Sequence, residues 1–233
     1  MNQNKFIEEL KKLGINITDT QLNQLDKYYN LLVEYNKVMN LTGITEHDEV
    51  YLKHFYDSLT IIKSIDLNKC NSLCDIGTGA GFPGMVLKIL FPNLEVTLLD
   101  SLNKRINFLT KVSEELGLEK VNLIHARAEE YASLNRNKFD VTTSRAVAHL
   151  SNLLEFSIPM TKENGYFIAL KGNLDEELNE AKQAIKILNV ELVDKIEFKL
   201  PIEESNRTIV KFKKIKDNKK YPRKFSEIKK NRL

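Results

Sequence analysis

With 233 residues and 42% hydrophobic side chains, the chain can bury a full core, either as one α/β domain with an extension or as two small domains. No run approaches transmembrane length, and the first residues carry Glu8, Glu9, Lys11 and Lys12 where a secretory leader needs an apolar stretch. The two cysteines, Cys70 and Cys74, have no second pair or His cluster to complete a zinc site, so no metal is implied and a soluble protein of the reducing cytoplasm, with no membrane partner, is expected.

Net charge is only +3, but it is unevenly spread. From Lys211 to Leu233 there are eleven Lys/Arg against two acids, net +9, which leaves −6 on the rest of the chain. An acidic body with a basic end suits a polyanion, RNA above all, although a solvated tail has the same composition.

In chain order, residues 4–38 predict two amphipathic helices. Phe6, Leu10 and Leu13 form a stripe that stops at Gly14, and Thr18 or Asp19 caps a longer helix carrying Leu22, Leu25, Tyr29, Leu32 and Val38. A helix over 50–62 then puts His54, Asp57 and Ser58 at i, i+3 and i+4, hence on one face. From residue 72 strands and helices alternate, as in a doubly wound sheet. Strands are expected at 72–76, 95–99, 121–125, 139–143, 165–170, 190–198 and 206–213, with helices at 84–90, 103–116, 148–158 and 174–188. The short loop holding Pro201 predicts that the last two strands pair antiparallel. The division expected is a helical extension over 1–65, a nucleoside-binding domain over 66–214 and a basic tail over 215–233.

The first strand, Ser72 to Ile76, runs into Gly77-Thr-Gly-Ala-Gly-Phe-Pro-Gly84, a turn in which the backbone can approach a ligand closely. Gly79 to Gly84 satisfies the dinucleotide pattern G-x-G-x-x-G, and the second strand ends in Asp100, placed to reach ribose hydroxyls. Two features favour S-adenosylmethionine over a dinucleotide. Asp75 lies just before the first glycine and suits an ammonium or sulfonium better than a pyrophosphate. Pro83 removes an N–H where a pyrophosphate needs donors. The cofactor set expected from the turn and the strand ends is Asp75, Gly79, Gly81 and Asp100, with Arg145 counted among the cofactor contacts as well.

Ligands of open α/β sheets bind at the carboxyl ends of the strands. The third strand end offers Ala128 and Glu129 to an adenine edge. The fourth offers Ser144-Arg145-Ala146, with no Asn/Asp-Pro-Pro-aromatic run for methylating an exocyclic amine and no Pro-Cys for a cysteine adduct on a pyrimidine. Guanine N7 has a free lone pair at neutral pH, so its methylation needs positioning and no general base. Arg145 and Lys171 suit the guanine O6 edge or nearby phosphates as catalytic cations. His54, Asp57, Arg223 and Lys224 complete a substrate face, to which Arg145 also belongs. An NAD-dependent oxidoreductase using the same glycine turn, or a non-catalytic RNA-binding factor, remains open on these residues alone.

Asn40-Leu-Thr42, His54-Phe-Tyr-Asp-Ser-Leu59, Asp75-Ile-Gly-Thr-Gly-Ala-Gly-Phe-Pro-Gly84, Leu99-Asp-Ser-Leu-Asn-Lys-Arg105, Arg127-Ala-Glu129, Ser144-Arg-Ala146, Leu170-Lys-Gly172 and Tyr221-Pro-Arg-Lys224 occur in that order. Together they resemble the ribosomal RNA small subunit methyltransferase G family, also called glucose-inhibited division protein B. The resemblance covers nearly the whole chain. It implies a Rossmann-like class I S-adenosylmethionine-dependent methyltransferase fold, with a seven-stranded, mostly parallel sheet, an antiparallel last strand and an N-terminal helical extension. It implies methyl transfer to N7 of one guanine in bacterial 16S rRNA; free rRNA and the small subunit both stay open as the substrate, and a monomer is expected. By the same resemblance Gly77, Phe82, Ala128 and Glu129 contact the cofactor and Arg145 lines the site. The family often closes with prolines after Tyr-Pro-Arg-Lys, whereas this chain ends Lys230-Asn-Arg-Leu233.

Overall fold

A computed structural model describes residues 1–145 and 148–233. Ala146 of the Ser-Arg-Ala motif therefore lies outside the described residues. Among the described residues the strands are β1 (Ser72–Ile76), β2 (Glu95–Asp100), β3 (Val121–His125), β4 (Phe139–Arg145), β5 (Thr161–Lys171), β6 (Val190–Lys199) and β7 (Asn206–Lys214). They form one seven-stranded sheet in the order β3-β2-β1-β4-β5-β7-β6. Pairing is parallel from β3 through β5, and β7 runs antiparallel to both β5 and β6. The strand order reverses between β1 and β4, which opens a crevice at their carboxyl ends. There the glycine turn faces Arg145.

Two strands differ informatively from expectation. β4 continues to Arg145, so this cation is held by strand pairing to Leu170 and not by a loose loop. β5 begins at Thr161, ahead of Asn164-Gly165, which forms an irregularity inside the strand. Asn164 is left-handed at φ 64°, and the pairing jumps from Phe139–Thr161 to Val141–Tyr166. A Cβ on Gly165 would sit 2.7 Å from the Asp140 carbonyl oxygen, so only glycine fits. The helix expected over 174–188 divides at Ala181 into Asp175–Glu180 and Lys182–Ile187.

The N-terminal helices are α1 (Gln3–Lys12) and α2 (Asp19–Met39). Thr18 and Gln21 form a reciprocal capping box that fixes the start of α2. The helical segment over 47–63 contains a π-helical stretch, Tyr51–Tyr56, that carries His54. Such wide turns reset the phase of a helix and recur at functional sites. Phe6, Leu10, Leu25, Tyr28, Leu32, Tyr51 and Phe55 share one apolar cluster with Leu73, Met85, Val96 and Val141 of the sheet domain. Tyr28 is the join. It stacks on Phe82 and Phe55, each at 5.6 Å between centroids, and its hydroxyl donates to the Ala80 carbonyl.

The C-terminal segment folds back on the sheet domain. Lys214, fully buried, donates to Asp217 at 2.7 Å and to the Thr161 carbonyl at 2.9 Å. Arg136 grips Asp217 with two nitrogens and also donates to the Asn218 and Tyr221 carbonyls. The chain then ends in the short helix Phe225–Lys230, pinned by buried Ile228.

Candidate active site

The crevice has two lobes that share Gly77, Asp100 and Ser101. The larger, about 390 Å³, is lined by Thr42, His54, Gly79, Phe82, Arg105 and Arg145. The smaller, about 180 Å³, is mostly apolar, with Ile76, Leu99, Ala126, Ala128, Phe156 and Phe225 beside Glu129 and Arg127. A wider depression of about 700 Å³ lies around Asn2, Asp26 and His47, away from every strand end, and its Asp26 carboxylate is already taken by Tyr51 and Gln3.

The glycine turn is held from beneath. Gly77 and Thr78 both donate backbone N–H to the Leu99 carbonyl, at 2.8 and 3.1 Å. Asp75 is fully buried and does not line either lobe. Its Oδ2 accepts from the Thr78 hydroxyl at 2.6 Å and the Gly84 N–H at 2.8 Å, which ties the side chain into the turn, while its buried Oδ1 has no partner among the described residues. Burial pushes its carboxyl up to about 6, with those two donors pulling the other way. Gly81 is likewise tied into the packing. A Cβ there would collide with the Tyr28 hydroxyl and come within 2.8 Å of Leu109, so its bareness lets α2 pack against the turn. Gly79 differs. At φ +62° its added Cβ would meet open space, so here the naked backbone faces the lobe.

Asp100 is 2% exposed and bridges the lobes. It accepts from the Gly79 and Leu102 N–H groups, each at 2.9 Å, and from Arg105 at 3.2 Å. The two backbone donors fix the carboxylate, while Arg105 sits on a flexible, partly exposed side chain. Glu129, 6% exposed, accepts from Arg127 Nε at 2.5 Å, and Ala128 opens the helix Ala128–Leu134 beside it.

Arg145 is the centre of the larger lobe. Its Nη1 donates to the Lys53 carbonyl at 2.9 Å and to Asp57 Oδ2 at 3.3 Å, and its Nη2 approaches His54 Nδ1 at 3.3 Å. A guanidinium can only donate, so Nδ1 must accept and the His54 proton sits on Nε2. Nε2–H then donates to the Thr42 hydroxyl oxygen at 2.8 Å, which also accepts from the Ile44 N–H at 3.0 Å. Thr42 is left with its own hydroxyl hydrogen, and the side chain lines the lobe. Burial, reinforced by Arg145, holds the His54 ring neutral, down to about 3. His54 stacks on Phe82 at 4.4 Å, and the Arg145 guanidinium lies 5.3 Å from the same ring. Of the five N–H donors of Arg145, three have protein partners among the described residues.

Asp57 stands behind this assembly and does not line the lobe. Its Oδ1 accepts from Arg207 Nε at 3.0 Å, so it bridges two cations and positions Arg145 without facing substrate itself. Two further expectations are corrected. Lys171 Nζ is consumed by Glu177, at 2.5 and 2.7 Å, and by the Ala148 carbonyl at 2.7 Å, outside both lobes. Arg223 donates from its backbone and Nε to Glu155 Oε1, each at 2.9 Å, and from Nη2 to Oε2 at 2.7 Å. It is an internal tie, whereas Lys224 beside it is exposed. Phe156 and Phe225 line the smaller lobe, and Arg207 braces Asp57 from outside both lobes, with no signal in the sequence, while Arg105 stands there only as the last residue of a motif. Asn40-Leu-Thr42 was visible as a motif, but its contact with His54 is set by the fold.

A family model described as rRNA small subunit methyltransferase G matches residues 21–206. The chain belongs to this family. It is 52% identical over 228 residues to the ribosomal RNA small subunit methyltransferase G of Lysinibacillus sphaericus, covering 96% of each chain. Against the protein of the same name from Bacillus subtilis the identity is 51% over 228 residues, covering 96% of this chain and 95% of that one. Among solved structures, a SAM dependent methyltransferase from Aquifex aeolicus superposes with TM-score 0.53 at 18% identity, covering 72% of this chain and 93% of that one. A SAM-dependent O-methyltransferase from Thermotoga maritima gives 0.54 at 16%, covering 80% and 72%. These two likenesses establish the class I methyltransferase fold. Membership of the rRNA small subunit methyltransferase G family makes the chain a methyltransferase, and the oxidoreductase and non-catalytic readings gain no support. Among the described residues no cluster of potential metal ligands occurs, and no helix is long and apolar enough to cross a membrane.

Proposed function

We propose that this chain transfers a methyl group from S-adenosylmethionine to N7 of one guanine in 16S rRNA, and that the two lobes divide the work. The observation that carries the reading is membership of the family over nearly the whole chain. The crevice suits the cofactor. Gly79 offers bare backbone facing open space, Asp100 offers a fixed carboxylate for a ribose diol, and the apolar lobe at Ala128 and Glu129 suits an adenine. The cofactor supplies a methyl already activated on a sulfonium.

The remaining task is to present N7 in line with that methyl, and no base is needed to take a proton. A cation beside N7 would oppose the reaction, because the nitrogen gains positive charge as the bond forms. Arg145 therefore serves O6 or a phosphate, while His54, Asp57 and Lys53 hold it still. Neutral His54 adds no second charge to the lobe. Such positioning contributes on the order of a hundredfold in rate. Exposed Lys224, Lys229 and Lys230 supply sequence-independent attraction for the RNA backbone.

One chain builds both lobes, which supports action as a monomer. The free thiols of Cys70 and Cys74 suit the cytoplasm. The test is methyl transfer from labelled cofactor to small-subunit RNA, followed by mapping of the modified base. A single guanine methylated at N7 is expected. Label on another atom or base, or no transfer to either free RNA or the assembled subunit, would overturn the reading.

A further inference from the structure

The C-terminal helix begins with Phe225, a large apolar ring left 43% exposed. The ring is not adrift on the surface, because it forms one side of the smaller lobe, opposite residues from β1, β2 and the helix Ala128–Leu134. Two independent devices hold it there. The Arg127 guanidinium lies 3.7 Å from the ring centroid, and Arg127 is itself steered by Glu129 at 2.5 Å. Two residues earlier, Arg223 is clamped to Glu155, whose carboxylate is 1% exposed and takes three donors from that one residue. Burying a carboxylate is costly unless it is fully bonded, so this clamp fixes the chain path immediately before Phe225. Phe156, next to Glu155 on the helix Leu150–Ser157, supplies a second ring to the same lobe. One helix thus both lines the lobe and anchors the segment that closes it.

We propose that Phe225 is a cofactor-binding residue: the C-terminal segment folds back so that this ring forms an aromatic wall against the adenine. The basic end of the chain is then part of the nucleoside site and more than an electrostatic handle for RNA. An aromatic ring stacks on any base through its π-face, and it costs little ordering entropy when the backbone is already tied down. The inference rests on the cofactor reading above, and the experiment separates the two.

Binding of S-adenosylhomocysteine and of S-ribosylhomocysteine, which lacks the adenine, is measured by competition calorimetry for the wild type, Phe225→Ala, Phe225→Leu and Phe225→Trp. The ring is half-exposed, so the unliganded melting temperature should stay unchanged, and Phe225→Leu keeps apolar bulk should the alanine variant fold poorly. For Phe225→Ala we expect about a tenfold loss of affinity for S-adenosylhomocysteine, no change for S-ribosylhomocysteine, and recovery in Phe225→Trp. Unchanged affinity for S-adenosylhomocysteine in both the alanine and leucine variants would overturn the proposal. Equal loss for both ligands would do so too, since it would mean a general effect on the fold. A wild type that does not bind S-adenosylhomocysteine at all would instead bring down the cofactor reading.

Discussion

The two lobes of the crevice are built on opposite plans. In the larger, nearly every polar side chain is already bonded to protein: Arg145 to Lys53, Asp57 and His54, His54 to Thr42, and Asp57 to Arg207. In the smaller, most of the lining is apolar, with Asp100 and Glu129 as its two carboxylates. On the function proposed above, the difference follows from what each must do. A nucleoside is gripped by surface burial and a few hydrogen bonds, which set affinity. A reacting base must be held in one orientation, which needs a rigid donor array assembled before the base arrives. Damage to the larger lobe should therefore appear in rate, and damage to the smaller lobe in cofactor affinity.

The largest effect is expected at Asp57. Replacing it by alanine leaves Arg145 and Arg207 without their shared counter-charge, and breaking a buried pair in this way typically costs about 3–5 kcal/mol. Both side chains keep some contact with water or other partners, so the loss should fall toward the lower end. Asp57→Ala is expected to lower the melting temperature and slow single-turnover methylation while cofactor affinity holds. A variant with wild-type stability and rate would show that Arg145 needs no bracket.

Asp100 sharpens the other side of the comparison. Its replacement by alanine removes charge-assisted hydrogen bonding worth about 1.5–3 kcal/mol, or ten- to a hundredfold in affinity for S-adenosylhomocysteine. Calorimetry showing wild-type affinity would remove Asp100 from the ribose role.

The smallest effect is a matter of pH. His54 titrates in the unfolded chain near 6.5 and in the folded protein at about 3, so its contribution to stability is complete above 6.5 and is lost as pH falls from there toward 3. Asp75 runs the other way. Its folded value of about 6 lies above the usual 3.8, so its contribution is complete below 3.8 and lost as pH rises toward 6. Comparing melting temperatures of wild type and His54→Gln between pH 7 and about 4 isolates the first slope. The wild type should lose more than the variant as the solution is acidified. Parallel curves would mean His54 is not held neutral by its surroundings.

Much of this arrangement was legible in the residues. The strand-turn-helix at Ser72–Leu90, the acid ending β2 and the antiparallel hairpin at the sheet edge all follow from local pattern. What was not legible was how the charges pair. Lys171 ends a strand at the correct edge of the sheet, yet Glu177 and the Ala148 carbonyl take it up, because the chain after β5 folds back over its amine. Arg223 belongs to the expected substrate face, but Glu155, 68 residues earlier in the chain, lies buried against it. A cation's partner across such a distance has no periodic signature. Asp75 illustrates a different limit. Its place beside the glycines is apparent in the sequence, but whether the side chain points up to the ligand or down into the turn depends on Thr78 and Gly84 closing beneath it. Phe225 carries no signal in the sequence, because a lone aromatic in a basic stretch has no pattern.

The most direct test of this division of labour is Arg145→Ala, assayed for methylation of small-subunit RNA under single turnover, with S-adenosylhomocysteine affinity measured separately. The account predicts a fall in rate on the order of a hundredfold with cofactor affinity essentially unchanged. A wild-type rate would contradict it, and so would a collapse of cofactor binding, which would place Arg145 among the nucleoside contacts.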